Sequence, residues 1–509
     1  MAKPRMSDRG RVYIVGAGPG DPELLTLKGR RALSLADVVL YDHLANEALL
    51  DFAPANAERL YVGKKRAEHA LSQEEICSVM VERVRRGLTV VRLKGGDPYI
   101  FGRGGEEAEA LADAGIPFEV VPGVTAALGI AAYAGVPLTH REHTSVVTFV
   151  TGHEVAHIDW DKVGAAETLV VFMGLTHIRE IAREIVSRGR SAETPAMAVR
   201  WATRPHQRCI VGTLGDLAGR IERAGMKPPA TIVIGEVVRL REKLNWFERL
   251  PLFGTRIVVT RAQSQAGAMR ERLESLGAEV VELPVISIEP PADPAPLDAA
   301  IARLAEYDWL IFTSANGVRF FLDRLDRSPR DLRSLRARIC AIGPATRRAI
   351  EELHLKVDLM PEEYVAESLV AAFAGSGYTP GDDLNGRRIL LPRAAVARDL
   401  IPVELARLGA TVDVVEAYRN VPPAGAAERL EALFSSARKP HWITFTSSSA
   451  VNNFVAIAGS SALAGIRIAS IGPVTSATLR SHQLEPAVEA AEFTIDGLIA
   501  AILEHVSVS

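Results

Sequence analysis

The second half of this chain repeats itself, and that duplication restricts its architecture more than any other feature. RIVVTRA (256–262) returns as RILLPRA (388–394), and LGAEVVELPVISIEPP (276–291) as LGATVDVVEAYRNVPP (408–423), both 132 residues on. WLIFTSANGV (309–318) returns as WITFTSSSAV (442–451) after 133 residues. ICAIGPAT (339–346) and YVAESL (364–369) return as IASIGPVT (468–475) and FTIDGL (493–498) after 129. Five matches in one order predict two copies of an α/β unit. A proline-rich crossing follows the second strand of each copy, EPPADPAP (289–296) and VPP (421–423). If both crossings pass between lobes, the lobes are exchanged: 255–288 with 422–505 in one, 297–420 in the other. A tandem arrangement is the alternative. Either leaves room for a ligand between two similar lobes.

The first half shows no such repeat. Short apolar runs, from VYIV (12–15) through LTVVRLKGGDP (88–98) to PATIVIGEVV (229–238), alternate with Ala-, Leu- and Arg-rich stretches. Such alternation predicts α/β layering. VRLREKLNWFERLPLFGT (238–255) breaks the pattern, and 246–254 is taken as a linker. At 509 residues the chain is too long for one core and calls for several lobes.

Composition narrows the function. A net charge of −3, from 59 basic and 62 acidic residues, advertises no nucleic-acid partner. Cys77, Cys209 and Cys340 stand far apart in no CxxC pair, which predicts no disulfide framework or zinc site and fits a reducing cytoplasm. No signal-peptide core opens the chain, and no apolar run approaches the ~18 residues of a membrane span. The expected setting is cytosolic.

Three glycine clusters punctuate residues 12–139. In VGAGPGD (15–21), Gly16 and Gly18 fit a dinucleotide fingerprint, but Asp21 takes the third glycine position and Pro19 removes an N–H. Asp21 would put negative charge where a phosphate should sit, so a ligand without phosphates is expected. In RLKGGDPYIFGRGGEE (92–107), paired glycines expose main-chain groups beside the Asp97 carboxylate and the Arg103 cation. VPGVTAALGIAAYAGVPLT (121–139) is a turn feeding a helix of small residues. An ordinary strand-to-helix turn is the plain alternative for each cluster taken singly.

VGAGPGD, YD (41–42), VGK (62–64), QEEI (73–76), RLKGGDPYIFGRG, PGVTA, GVPLTHR and PATIVIGEVV together resemble the tetrapyrrole methylase family, specifically its uroporphyrinogen-III C-methyltransferases, over 11–245. The resemblance implies a two-lobed α/β fold that binds S-adenosyl-L-methionine between its lobes, usually as a homodimer. It implies donor-binding roles for Pro19, Gly95, Gly96, Asp97, Ile100, Thr125 and Ala126 in the first lobe. In the second it implies them for Met173, Ala202 and Ala230, with Ala202 aligned by spacing. Main-chain groups and one carboxylate suit the polar ends of such a donor, while apolar walls exclude water.

The family's proposed acid–base pair matches Asp42 and Lys64, with Lys65 a rival in GKKR. A polar strand end for Asp42 and a solvated surface lysine for Lys64 are the alternatives. His140, His143, His153 and His157 fall within 18 residues but in no metal-site pattern, so no metal is expected. His140 and Arg141 are better placed to meet substrate carboxylates.

The duplicated half is similar to uroporphyrinogen-III synthases over 255–505, carried by FTSANGV, FTSSSAV and the two IGPxT turns. The resemblance implies two flavodoxin-like α/β lobes joined by a β-ladder, and hydroxymethylbilane with its eight carboxylates as substrate. Ser314, Thr346, Ser447, Ser448 and Thr475 are candidate anion contacts at strand-to-helix turns, with Arg261 and Arg393 at matching repeat positions. Helix N-capping is the alternative role for the hydroxyls. Tyr418, in EAYRN, matches a tyrosine thought to assist loss of the hydroxyl. The two resemblances together predict an enzyme that forms uroporphyrinogen III and methylates it at C-2 and C-7 to precorrin-2, towards siroheme and cobalamin. A methylase of a later corrin intermediate, fused to a non-catalytic tetrapyrrole-binding module, is the alternative. No third module is expected, since the chain is assigned up to 505.

Overall fold

A computed structural model of the chain describes residues 10–63, 71–261, 263–374, 384–396, 399–436 and 438–508. Two compact units divide the chain: residues 1–257, 271–280 and 503–509 form one, and 258–270 and 281–502 the other. The architecture is α/β throughout, with four five-stranded sheets. Among the described residues no helix is long and apolar enough to cross a membrane.

In the first unit, β1 (Val12–Gly16), β2 (Val38–Tyr41), β3 (Glu58–Tyr61), β4 (Val90–Lys94) and β5 (Phe118–Val121) form a parallel sheet in the order β3-β2-β4-β1-β5. Its central strands are near-continuous runs of buried residues, the pattern of a sheet covered on both faces. From β1 the chain crosses over β4 to reach β2, and from β4 it crosses over β1 to reach β5. That reversal opens a crevice at the strands' carboxyl ends.

The second sheet of this unit holds β6 (Val147–Thr151), β7 (Thr168–Phe172), β8 (Pro195–Arg200), β9 (Arg208–Thr213) and β10 (Ala230–Ile234), ordered β6-β7-β10-β8-β9. β6 and β7 are parallel, whereas β10 runs antiparallel to both β7 and β8. Helix Ile178–Ser187 buries Ile178, Ile181, Ala182 and Ile185 against this sheet, one stripe at helical spacing. Residues 246–254 also contribute to the core: Phe247 and Leu252 are buried, and the Phe247 ring lies 4.8 Å from that of Tyr133.

The duplicated half supplies β11 (Arg256–Val259), β12 (Glu279–Glu282), β13 (Ser287–Glu289), β14 (Trp309–Phe312), β15 (Arg338–Ala341), β16 (Arg388–Ala394), β17 (Thr411–Val421), β18 (Trp442–Phe445), β19 (Arg467–Ser470) and β20 (Val488–Glu489). The sheets run β12-β11-β18-β19-β20 and β13-β17-β16-β14-β15. Each takes its first two strands from one copy of the repeat and its later strands from the other. Numbered within the copies, the first order is 2-1-3-4-5; the second is 2-1-3-4, edged by β13 beside strand 2 and extended past strand 4 by a parallel bridge from Cys340 to Leu359. β13 pairs antiparallel with β17, Ser287 opposite Val421.

Candidate functional site

The three glycine-rich turns of the first half converge at the carboxyl ends of β1, β4 and β5. Gly18 and Gly96 pair through Gly96 N–H to Gly18 O at 2.8 Å and Gly18 N–H to Gly96 O at 3.2 Å. A Cβ on Gly123 would fall 2.3 Å from Gly96 O and 2.7 Å from Gly16 Cα, so any side chain there would split the turns apart. Gly95 is held in the same way, its Cβ position 2.4 Å from Leu44 Cβ. Asp97 locks the arrangement by accepting from Tyr99 N–H at 2.8 Å and Gly123 N–H at 3.0 Å. Its carboxylate therefore positions two of the turns.

Thr125 and Ala126 open the helix Ala126–Tyr133 beside Gly96, and the Thr125 side chain, though buried, does not cap that helix. Pro19 packs on Gly129 of the same helix, whose Cβ would lie 2.6 Å from Pro19 Cγ. Asp21 does not face a ligand phosphate. Its Oδ1 accepts from Glu23 N–H at 2.9 Å and its Oδ2 from the Tyr133 hydroxyl at 2.6 Å.

The second lobe of this unit closes on the same turns. Asp21 N–H donates to Thr203 Oγ1 at 2.9 Å, and a Cβ on Gly20 would lie 3.0 Å from the Ala202 carbonyl. Met173, half-exposed, joins Tyr99, Phe101 and Thr151 around one surface pocket, next to the exposed Ile100. Ala230 starts β10 opposite Arg200. Seven described non-glycine residues have positive φ, and five surround these turns: Phe101, Arg103, Met173, Trp201 and Thr203. Strained backbone collects where a site over-determines it. Residue identity gave no warning of it.

Asp42 follows β2 and accepts from Leu44 N–H at 3.0 Å through Oδ1, while Oδ2 lies 3.4 Å from Arg92 Nη2. Arg92 belongs to a buried ionic cluster that the sequence did not single out. Glu107 Oε1 accepts from Arg92 Nε at 3.0 Å, Lys94 Nζ at 2.8 Å and Gln73 Nε2 at 3.0 Å. Glu107 Oε2 is buried with no partner among the described residues. Burial first, and then the Arg92 charge, pull the Lys94 ammonium below its ordinary range. Lys64 and its neighbour Lys65 lie outside the described residues. Elsewhere in this unit, His140, Glu142 and His143 bring their ligand atoms within 4.8 Å of one another, and His140 Nδ1 accepts from Glu142 N–H at 3.2 Å.

In the duplicated half the candidates again sit at carboxyl ends of strands. Ser314 caps the helix Ala315–Leu325 by accepting from Gly317 N–H at 3.0 Å, and the same hydroxyl lies 3.0 Å from that of Tyr418. Tyr418 is buried and stacked on Phe320 with ring centroids 5.9 Å apart. Arg393 Nη2 donates to Asp399 at 2.6 Å. Arg261, just beyond β11, has no carboxylate partner among the described residues, and burial alone lowers its guanidinium. Ser447, at the matching end of β18, accepts from Ala450 N–H at 3.2 Å, and Ser448 Oγ donates to Val474 O at 3.3 Å. Thr346 and Thr475 are both buried in the first turns of their helices.

Comparison with known proteins assigns both halves. The model of tetrapyrrole (corrin/porphyrin) methylases matches residues 11–218, and that of uroporphyrinogen-III synthase HemD matches 267–500. The porphyrin biosynthesis protein HemD of Ruminiclostridium josui is 36% identical over 504 residues, 98% of each chain. The siroheme synthase of Azotobacter vinelandii is 54% identical over 243 residues, which cover 47% of this chain and 52% of that one. Among solved structures, the uroporphyrin-III C-methyl transferase of Thermus thermophilus complexed with S-adenyl homocysteine is 45% identical, covers 45% of this chain and 100% of its own, and has a TM-score of 0.40. The class is thus tetrapyrrole biosynthesis, with a methylase domain followed by a synthase domain. More particularly, the chain belongs to the family of two-domain porphyrin biosynthesis proteins that the Ruminiclostridium protein represents.

Proposed function

We propose that the chain catalyses two consecutive steps of tetrapyrrole synthesis. Residues 255–505 close hydroxymethylbilane to uroporphyrinogen III, and residues 11–245 methylate that ring at C-2 and C-7 to give precorrin-2. The observation that carries this reading is the presence of both domains in one chain, matched end to end by one relative. The product of the second domain is the substrate of the first. A cytoplasmic setting and a homodimer formed through the methylase residues go with it.

The interlocked glycines suit S-adenosyl-L-methionine, because without Cβ atoms the three turns close on one another and bring their main-chain groups together at the strand ends. When bound there, that donor supplies an electrophilic methyl group. Pro19, Gly95, Gly96, Thr125, Ala126, Ala202 and Ala230 hold it, Asp97 fixes the turns, and Ile100 and Met173 exclude water. Attack by a pyrrole carbon then needs orientation more than acid–base power. The attacking carbon already carries a side chain and keeps no hydrogen, so the positive charge left on the ring is relieved by loss of a proton from the pyrrole nitrogen or the adjoining bridge carbon. Asp42 accepts it, its second oxygen steadied by Arg92, and Lys64 is the other member of the acid–base pair that carries the proton away.

In the synthase half, Tyr418 assists departure of the substrate hydroxyl, its own hydroxyl oriented by Ser314. Arg261 and Arg393, with Ser447, Ser448, Thr346 and Thr475, receive carboxylate arms. Arg261 supports this best, since a half-buried guanidinium with no protein carboxylate favours an anionic ligand.

Anaerobic incubation with hydroxymethylbilane, with and without S-adenosylmethionine, tests the reading. Type III ring without the donor and a doubly methylated product with it are expected. Closure only to the uninverted type I isomer would remove the synthase step. Failure to methylate supplied uroporphyrinogen III would redirect the methylase to another ring.

A further inference from the structure

The duplication offers an internal comparison at the IGP turns. Tyr364 and Phe493 occupy the same place in the two copies, each just ahead of a helix, Ala366–Ala374 and Ile495–Val508. Both rings are exposed, Tyr364 at 55% and Phe493 at 65%. A single exposed aromatic ring is ordinary on a protein surface; what sets these two apart is that both copies place one at the same point beside the IGP turn.

Each ring leans on a glycine. A Cβ on Gly343 would lie 3.3 Å from Tyr364 Cβ and 3.4 Å from its Cγ, and one on Gly472 would lie 2.8 Å from Phe493 Cδ1. Those glycines precede the helices Pro344–Glu351 and Pro473–Ser481. In the first turn of each stands a threonine, Thr346 at 4% exposure and Thr475 at 5%, and neither hydroxyl finds a hydrogen-bond partner among the described residues. Each lobe therefore presents the same set: an open aromatic face, a helix N-terminus and a largely buried threonine whose hydroxyl oxygen is not sealed from the surface.

A ligand that satisfies this set has a flat, electron-rich ring and an anionic arm a few ångströms away. Pyrrole rings bearing carboxylate side chains have that form. Resting on the synthase reading above, we infer that Tyr364 and Phe493 are paired stacking platforms, each holding one pyrrole ring of the open-chain tetrapyrrole while its carboxylate meets Thr346 or Thr475 and the adjacent helix N-terminus. Two platforms would hold two rings in fixed places while the chain ends are brought together. They would then govern which isomer forms, since a loosely held bilane closes without inverting its last ring.

The test uses full-length protein and hydroxymethylbilane. Wild type, Tyr364→Leu, Phe493→Leu, the double variant, and the conservative Tyr364→Phe and Phe493→Tyr are compared by KM, kcat and the ratio of type III to type I product. Each leucine should raise KM about tenfold, as loss of a ring-on-ring contact does. The double variant should also shift product towards type I. The aromatic exchanges should behave as wild type, and methylation of supplied uroporphyrinogen III should be unchanged in every variant, reporting intact protein. A double leucine variant with wild-type KM and isomer ratio overturns the proposal. A wild type that forms no type III ring overturns the synthase reading and this inference with it.

Discussion

The Tyr133 hydroxyl donates to Asp21 Oδ2 at 2.6 Å, across 112 residues of chain. This bond explains why a carboxylate stands in a turn that a dinucleotide fold would give to glycine: it ties the turn to the helix Ala126–Tyr133. Burial first, and then the bond to Asp21, raise the Tyr133 phenol well above its ordinary value, so it stays a donor at every physiological pH. Tyr133→Phe should lower stability by about 1–2 kcal/mol. It should also raise KM for S-adenosylmethionine more than it lowers kcat. Urea unfolding and methyl-transfer kinetics on supplied uroporphyrinogen III would read both.

Gly123→Ala puts a methyl group 2.3 Å from the Gly96 carbonyl. The turns must part to accept it. Overpacking of this size costs about 1–3 kcal/mol, so binding of S-adenosylhomocysteine should weaken roughly 10- to 100-fold by calorimetry. Ring closure of hydroxymethylbilane by the same protein should be untouched.

Glu107 is the sole carboxylate bonded to both Arg92 and Lys94 among the described residues. Glu107→Gln leaves two buried cations facing each other and should cost about 3–5 kcal/mol at pH 7. The sign of its pH dependence follows from Lys94. With its folded pKa already below the free value, and lower still in the variant, the folded state holds this proton less tightly than the unfolded chain. Stability from this group therefore rises as pH climbs from the folded pKa towards the free-lysine value. The gap between variant and wild type should be narrower at pH 9.5 than at pH 7 in urea unfolding.

Glu248 reaches back from the segment after β10. Burial opposes its charge, but bonds from Cys209 at 3.0 Å and Gln207 at 2.8 Å, and the Arg241 guanidinium, hold its carboxyl below the usual range. Gln207 Oε1 in turn accepts from Thr203 N–H at 3.0 Å, next to the Asp21 contact. A depressed carboxyl stabilises above its unfolded pKa and loses that contribution as pH falls through the folded one. Glu248→Gln should thus cost about 1–3 kcal/mol at pH 7 and progressively less below about pH 4.

Thiol chemistry gives an independent check on packing. Burial is the first cause that raises each of Cys77, Cys209 and Cys340 above the ordinary thiol value. Little thiolate is present at pH 8, so a chromogenic disulfide should label native protein slowly and all three thiols rapidly in guanidinium. Fast labelling of native Cys209 would show the Glu248 segment to be open.

Much was written in the sequence. The apolar runs VYIV, LTVVRLKGGDP and PATIVIGEVV fall on β1, β4 and β10, whereas β3 is Glu-Arg-Leu-Tyr, a polar edge strand with too little apolar pattern to register. The repeat announced two similar sheets, and the glycine clusters marked the turns that meet around Gly16, Gly96 and Gly123. Local composition determines such things because φ/ψ freedom and apolar spacing are properties of neighbours in the chain. Tertiary structure alone decided that each sheet of the duplicated half takes strands from both copies, and that five non-glycine residues around the first site adopt left-handed backbone. It also decided that Arg92 and Lys94, on one strand, are sealed by Glu107 from the helix Gly104–Asp113. Whether a charge is buried, or which strand completes a sheet, depends on groups tens to hundreds of residues away. That is a sum over packed contacts, and no window of sequence contains it.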